Sequence, residues 1–236
     1  MAALPQDMDF QAIIRAGRAA PLDPEDLDGN RYRTFGGVHF YPWEPERGYT
    51  IVPCFKDPDS GRTYSRYAQP ANINPEAGGR VRRFAPIPEY LWSSLWPLIN
   101  VLYMGTPHEL VSRTDPVAAH VHLVSMRPRQ NWAAYSVPNL LHQDLDPVTF
   151  VVLTERSENA GGGQSLIAKA STARHKANWQ DLPDGEIIEK FTLVTPWSGV
   201  AVWDSRVSHA VSPLYGTDGE PANRTALLID FTNIPI

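Results

Sequence analysis

The sequence predicts a mainly β (α+β) protein: a double-sheet jelly roll preceded by helices that pack on its outside. From Ala118 onward, short apolar runs alternate with turn residues, the pattern of strands in stacked antiparallel sheets. Helical spacing of apolar residues is confined to the first half of the chain. The 22 prolines and 16 glycines are many for a helical protein and suit short strands joined by turns. At 236 residues the chain is large enough for one real core. No repeat, linker or low-complexity tract divides it, so residues 1–236 read as a single domain. It has a helical segment over about 1–117 and a jelly-roll core over about 118–236.

Asp9 is placed to cap a short helix that carries Phe10, Ile13 and Ile14 on one face and ends near Gly17. Pro21 to Gly29 reads as an acidic loop or a short helical turn. Arg31–Tyr41 and Tyr49–Phe55 read as strands around the turn from Pro42 to Gly48. Ser60 to Arg83, rich in Arg, Tyr, Asn, Pro and Gly, reads as a long ordered loop or irregular strands. Leu91, Leu95, Leu98 and Leu102 then recur at helical spacing beside Trp92 and Trp96. Pro97 predicts a kink there or two helices meeting, with Gly105 as the stop. Thr106-Pro107-His108-Glu109 has the form of a capping box opening another short helix. The strands expected after that are Val121–Met126, Trp132–Val137, Thr149–Thr154, Ser165–Ala170, Ile187–Val194, Val200–Trp203, Ala210–Pro213 and Thr225–Phe231.

Composition excludes several classes. Hydrophobic residues at 42% and charged residues at 20% are those of a globular domain, not a disordered chain. The net charge of -5 is scattered and offers no basic stripe for nucleic acid. No apolar run approaches the ~20 residues that cross a bilayer, and Met1 to Phe10 lacks a signal-peptide pattern. Cys54 stands alone, so no intrachain disulfide forms, in keeping with a reducing cytoplasm.

The chemistry sits at His142-Gln143-Asp144, at His209 far downstream, and at Arg224 beyond it. Two imidazoles and a carboxylate with no cysteine nearby are the donor set of the 2-His-1-carboxylate triad that holds non-heme Fe(II). On a strand, residues i and i+2 project from one face, so His142 and Asp144 reach one ion while Gln143 points away. His209 follows the buried-looking Val200–Trp203 run and supplies the third ligand from a strand folded back onto the first. Arg224, at the mouth of the Thr225–Phe231 strand, suits the far carboxylate of an acidic cosubstrate. His120 and His122 are also spaced i, i+2, but no carboxylate follows them closely. His175 reads as a solvated loop residue.

These residues, with the Asn159-Ala160-Gly161-Gly162-Gly163-Gln164-Ser165 loop, Trp203-Asp204-Ser205-Arg206-Val207-Ser208-His209 and Arg224-Thr225, resemble the 2-oxoglutarate/Fe(II) dioxygenases that hydroxylate free amino acids, in pattern the bacterial L-isoleucine 4-hydroxylase type. The resemblance is clearest from about Val121 onward. In Tyr67 to Pro88, Gln69, Asn74-Pro75, Gly78-Gly79 and Arg82 resemble the family's substrate-side segment. It implies a cupin-like double-stranded β-helix, with His142, Asp144 and His209 as catalytic iron ligands. It further implies that Arg224 pairs with the distal carboxylate of 2-oxoglutarate, and Thr225 either adds a hydroxyl donor or is simply a strand residue. Cofactors implied are Fe(II), 2-oxoglutarate and O2, with ascorbate as a stimulant. The reaction implied is hydroxylation of an unactivated C–H bond, with release of succinate and CO2. Related halogenases lack the triad carboxylate, so Asp144 argues for hydroxylation. Leu145 stands where many relatives have Gly, a departure that leaves the ligands untouched.

A zwitterionic substrate needs a cation for its carboxylate and an acceptor for its ammonium. Of Arg66, Arg80, Arg82, Arg83, Arg127 and Arg129, Arg82 and Arg127 are the favoured cations. Trp132 and Tyr135 either line the pocket or pack in the core. Asp204 either orients His209 or caps a turn. The leading reading is hydroxylation of a free L-amino acid or close derivative. Its alternative is the same iron chemistry, as hydroxylation, desaturation or sulfoxidation, on another small secondary metabolite. A non-catalytic ligand-binding jelly roll and a zinc hydrolase are the competing classes, and the complete triad with Arg224 disfavours the first.

Overall fold

The computed structural model describes residues 4–26, 28–68, 79–136, 140–144, 146–172, 182 and 184–234. Gln69, Asn74, Pro75, Gly78, Val137, Leu145 and His175 lie outside them. The major sheet is built from β1 (Arg31–Phe40), β2 (Tyr49–Ile51), β3 (Phe55–Lys56), β4 (Thr63–Ala68), β5 (Val81–Pro86), β6 (Val117–Met126), β7 (Val148–Arg156), β11 (Gly199–Val202) and β14 (Arg224–Asn233). Its order is β11-β7-β14-β6-β1-β5-β4-β3, with β2 added to β1. Every pairing is antiparallel except β1 with β5. The facing layer holds β9 (Ser165–Lys169), β10 (Ile187–Phe191) and β12 (Val207–Val211) in the order β10-β9-β12. A separate ribbon pairs β8 (Ala160–Gly162) with β13 (Leu214–Gly216). This is the mainly β jelly roll that the strand pattern predicts.

The period of two along the central strands sorts the sheet into two faces. Val117, Ala119, Val121 and Leu123 of β6 and Leu227, Ile229 and Phe231 of β14 are buried on the outer face. There they meet α1 (Phe10–Ala19) and α2 (Trp92–Gly105), which bring Ile13, Trp92, Leu95, Leu98 and Ile99 to the same core. Asp9 caps α1 as expected, its carboxylate accepting from the Ala12 N–H at 2.8 Å. Gly36 of β1 lets the sheet meet α2 closely, since a Cβ there would lie 2.7 Å from the Trp92 ring. The alternate residues of the same strands face inward.

Several expectations are revised. Of the two alternatives at Pro97, the meeting of two helices is excluded, because α2 is one helix that contains it and ends at Gly105 as expected. The missing proline N–H forfeits one helical bond, a cost of about 3 kcal/mol that burial of Leu95, Leu98, Ile99 and Tyr103 offsets. Thr106 opens no helix. Its hydroxyl bonds back to the Leu102 carbonyl at 2.9 Å, and only a turn follows. Trp132–Val137 forms no strand in the described part; isolated bridges tie Trp132 to Arg129 and Ala134 to Leu214. Of the Ser60–Arg83 stretch, β4 and β5 pair as an antiparallel ladder from Ser65–Phe84 to Ala68–Val81. The major sheet also begins well before residue 118, because β1 pairs along the whole length of β6. Among the described residues, no helix is long and apolar enough to cross a membrane.

Candidate metal centre

His142 and His209 sit opposite each other in an isolated antiparallel bridge, where the His142 N–H donates to the His209 carbonyl at 3.0 Å and the reverse bond is 2.9 Å. Asp144 lies on the same side as His142, and its carboxylate reaches both rings. His142 Nε2 is 3.7 Å from Asp144 Oδ1, and His209 Nε2 is 3.3 Å from Asp144 Oδ2. All three residues offer a donor atom within 4.8 Å of the others. Two donors each about 2.1 Å from an ion and at right angles to it would be about 3 Å apart, so the observed spacing suits one ion with little adjustment. Gln143 points away as expected, its amide donating to the Asp204 carbonyl at 2.5 Å and the Val207 carbonyl at 3.2 Å. Those bonds tie the His142 segment to the turn before β12.

The protons of the imidazoles are set by their neighbours. His142 Nδ1 is 2.9 Å from the Leu140 carbonyl, which can only accept, so Nδ1 carries the hydrogen and Nε2 is left as the ligating lone pair. Burial, then the nearby His209, pulls the His142 pKa down and keeps that ring neutral. His209 lies between two carboxylates, with Nδ1 3.2 Å from Asp204 Oδ1. Burial alone would lower its pKa, but Asp144 and Asp204 outweigh burial and push it up to about 10. Asp204 is fully buried and lies beside His209.

The triad opens into a cavity that also receives Arg31, Arg33, Tyr67, Arg82, His122, Thr149, Arg224 and Asp230, with an apolar lining that includes Val124, Met126, Val151 and Leu228. Most of these are the inward-facing alternates of the major sheet. Arg224 is only 5% exposed, and its Nε and Nη2 have no hydrogen-bond partner among the described residues. A buried guanidinium edge without an acceptor is costly, so the site is built for an incoming anion. Gly163, in the glycine loop after β8, explains that loop's place here. Its φ is +61°, and a Cβ would lie 3.1 Å from Arg224 Cδ and 3.0 Å from Arg156 Nη1. A bare backbone is therefore what packs beside the Arg224 stem.

Other predicted residues divide. Arg82 is buried and lines the cavity. Arg127 does not line it: its Nη2 donates to the Gly17 carbonyl at 2.6 Å, its Nε to Ser125 Oγ at 3.0 Å, and its plane lies over the Tyr32 ring. It clamps the end of α1 to β6. Thr225, next to Arg224 on the strand, faces outward, its hydroxyl donating to Ser125 Oγ at 2.9 Å; the plain strand role is the one observed. Trp132 is 67% exposed in a shallow hollow with Tyr215, and Tyr135 is exposed, its carbonyl accepting from Arg31. Both stay out of the cavity because their segment does not form the expected strand. His122 joins the cavity without joining the metal group, and His120 lines a different hollow.

Residues that sequence reasoning missed are Arg31, Arg33, Tyr67 and Asp230. Arg31 pairs with buried Asp23 at 2.7 Å, and its Nη2 is unpartnered among the described residues. The available signal was arginines at i and i+2 at the start of an expected strand, and an aspartate inside the apolar run of β14.

The comparisons agree with this geometry. The 3(1)-hydroxy-L-isoleucine 4-dioxygenase of Pantoea ananatis (strain AJ13355) is 26% identical over 201 residues, covering 81% of this chain and 74% of that protein. The L-isoleucine-4-hydroxylase of Bacillus thuringiensis is 28% identical over 171 residues, covering 70% of this chain and 65% of that protein, just under two thirds. Among solved structures, IDO from Bacillus thuringiensis superposes with a TM-score of 0.64 at 19% identity, over 96% of this chain and 85% of that one. A bsmA homolog from Methylobium petroleophilum PM1 gives 0.67 at 18% identity, over 95% and 81%. Those two likenesses establish the fold. The sequence profile of the 2OG-Fe dioxygenases matches residues 22–230, nearly the whole length over which the sheet and cavity are built, and the chain belongs to that family.

Proposed function

We propose that this protein is an Fe(II)- and 2-oxoglutarate-dependent hydroxylase of a free L-amino acid or a close derivative. The observation that carries the reading is one cavity joining the His142, Asp144 and His209 donors to the buried edge of Arg224, which is unpaired among the described residues. In it the three donors would hold Fe(II), and the planar fork of Arg224 would take the distal carboxylate of 2-oxoglutarate by two parallel hydrogen bonds. When bound, iron and cosubstrate supply the oxidising power: 2-oxoglutarate is split to succinate and CO2 while one oxygen atom enters the C–H bond. The chain's own part is positioning. The Leu140 carbonyl fixes the His142 tautomer, and Asp204 holds His209 from behind. Val124, Val151, Val202 and Leu228 give the reacting carbon an apolar, water-poor wall. Arg82, buried in the same cavity, is assigned the substrate carboxylate.

The names of the two curated relatives, both acting on isoleucine or its hydroxy derivative, support an amino-acid substrate. Residues 1–236 are taken as one catalytic unit, since β1 and β14 flank β6 in a single sheet. A reducing cytoplasm fits the single exposed cysteine, Cys54. The test is succinate release from protein supplied with Fe(II), 2-oxoglutarate and ascorbate and a panel of L-amino acids. Products are then weighed for the gain of one oxygen atom. If no amino acid couples to succinate release, the substrate reading fails. If His142→Ala still binds Fe(II) and turns over, the ligand assignment fails.

A further inference from the structure

We propose that Asp230, with Thr149 beside it, is the ammonium-binding site for the substrate, at the opposite end of β14 from Arg224. The proposal rests on the amino-acid reading above. Arg224, Leu228 and Asp230 all line the cavity from one face of β14. Six residues of strand separate the two charged ends by roughly 20 Å, with the apolar Leu228 between them. The row through Arg224 crosses Met126 and reaches Arg31, whereas the row through Asp230 crosses Thr149 on one side and His120 on the other. The inner face of the sheet thus has a cationic end, suited to a dicarboxylate, and an acidic end.

Among the described residues, no cation pairs directly with the acidic end. Asp230 is 4% exposed, and its one ion-pair contact among the described residues is His122 Nε2, at 4.0 Å. That imidazole brings no charge. Arg33 donates to His122 Nδ1 from Nε at 3.1 Å and lies 2.7 Å away through Nη2, so Nδ1 is the acceptor and the single ring proton is on Nε2. Burial, with Arg33's positive charge next, keeps His122 neutral. Arg33 itself is committed to His122 and lies 3.9 Å from Asp23. Phe35 stacks on the His122 ring and Tyr67 meets it edge-on, so the ring cannot swing away. Of the other described groups around Asp230, Asp146 and Asp144 are also acidic, His120 across the ladder is held neutral by burial, and Tyr67 and Thr149 are uncharged. Burial first, and then Asp146, holds the Asp230 carboxyl well above the usual range, and an arriving ammonium would favour its ionised form.

Thr149 supplies the second observation. It is the ladder partner of Asp230, it is 2% exposed, and its Oγ1 makes no hydrogen bond of normal geometry among the described residues. A substrate ammonium has three donors and needs acceptors, and a carboxylate with the lone pairs of a neighbouring hydroxyl oxygen provides them. Among the described residues, no cationic donor takes that place. A carboxylic acid without the amino group would leave Asp230 and Thr149 as they are and gain nothing there.

The experiment uses anaerobic protein loaded with Fe(II) and 2-oxoglutarate, titrated in a calorimeter. The probes are L-isoleucine, or the L-amino acid that couples best in the panel, and the same acid without its amino group. The wild type should bind the amino acid and should bind the deaminated acid at least roughly 30-fold more weakly, about 2 kcal/mol. Asp230→Asn should lose roughly that factor for the amino acid alone, while the visible band of the Fe(II)–2-oxoglutarate complex is unchanged. Equal binding of the two probes by the wild type overturns the proposal, as does wild-type affinity in Asp230→Asn or loss of its visible band. Should the variant fail to fold, the two probes on the wild type decide alone. A wild type that binds no L-amino acid overturns the substrate reading and this proposal with it, an outcome distinct from the others.

Discussion

Replacing Arg224 with methionine should improve the empty protein and cripple the working one. Burial, and then the charge of Arg156, pulls the Arg224 pKa from 12.5 to about 10. At 1.36 kcal/mol per pH unit, that charge costs the ligand-free fold on the order of 3 kcal/mol. The unfolded chain holds this proton more tightly than the fold does, so the cost is constant below pH 10 and is relieved only as pH rises from 10 towards 12.5. At neutral pH it is present in full. A methionine fills similar space without charge, so ligand-free Arg224→Met should gain about 1–3 kcal/mol, or roughly 2–10 °C in Tm for a chain of this size. The same change removes two charge-assisted hydrogen bonds from the cosubstrate carboxylate, a loss of about 3 kcal/mol or about 100-fold in KM for 2-oxoglutarate. Thermal melts with and without 2-oxoglutarate, paired with succinate kinetics, read both halves. A KM for 2-oxoglutarate within threefold of wild type would refute the anchoring role, and a lower Tm would refute the account of an unpaired buried charge.

Three further outcomes follow from the same geometry. With His209 at about 10 in the ion-free protein, metal binding at pH 7 must expel about one proton, visible by calorimetry in buffers of different ionisation enthalpy; Asp204→Asn should weaken metal affinity about 10-fold or more. Gly163→Ala forces a left-handed φ on a residue with a Cβ and presses on Arg224 Cδ, so it should cost about 1–2 kcal/mol in urea unfolding and raise KM for 2-oxoglutarate several-fold. Arg127→Ala should cost about 1–2 kcal/mol of stability through its lost bonds to Gly17 and Ser125, yet leave both KM values within threefold, because its guanidinium is spent on the α1–β6 junction.

How much was legible depended on whether the signal was local. His142 and Asp144 share a face because they are two apart in an extended segment, and that needs no knowledge of the rest of the fold. The strands of β6, β7 and β14 were legible for the same reason, as runs of Val, Leu and Ile between turns. Arg31, Arg33 and Asp230 were not, since only the register of β1 on β6 and β6 on β14 brings them to one cavity. Thr225 shows the opposite error, because its nearness to Arg224 in sequence is what puts it on the other face. Trp132 and Tyr135 were misplaced because aromatic alternation resembles a strand even where the backbone makes only single bridges. Thr106 has the residues of a helix start, and its hydroxyl finds a better acceptor behind it, in the last turn of α2.

The reciprocal backbone hydrogen bonds between His142 and His209 bear on how the centre ages. In small zinc-organised domains the ion is the staple, and stripping it unravels the chain. Here the two chain segments are already stitched to each other by their own amides. An iron that oxidises and escapes would leave its socket standing, ready for a fresh ion. Loss of metal is then a pause in the protein's service and not the end of it.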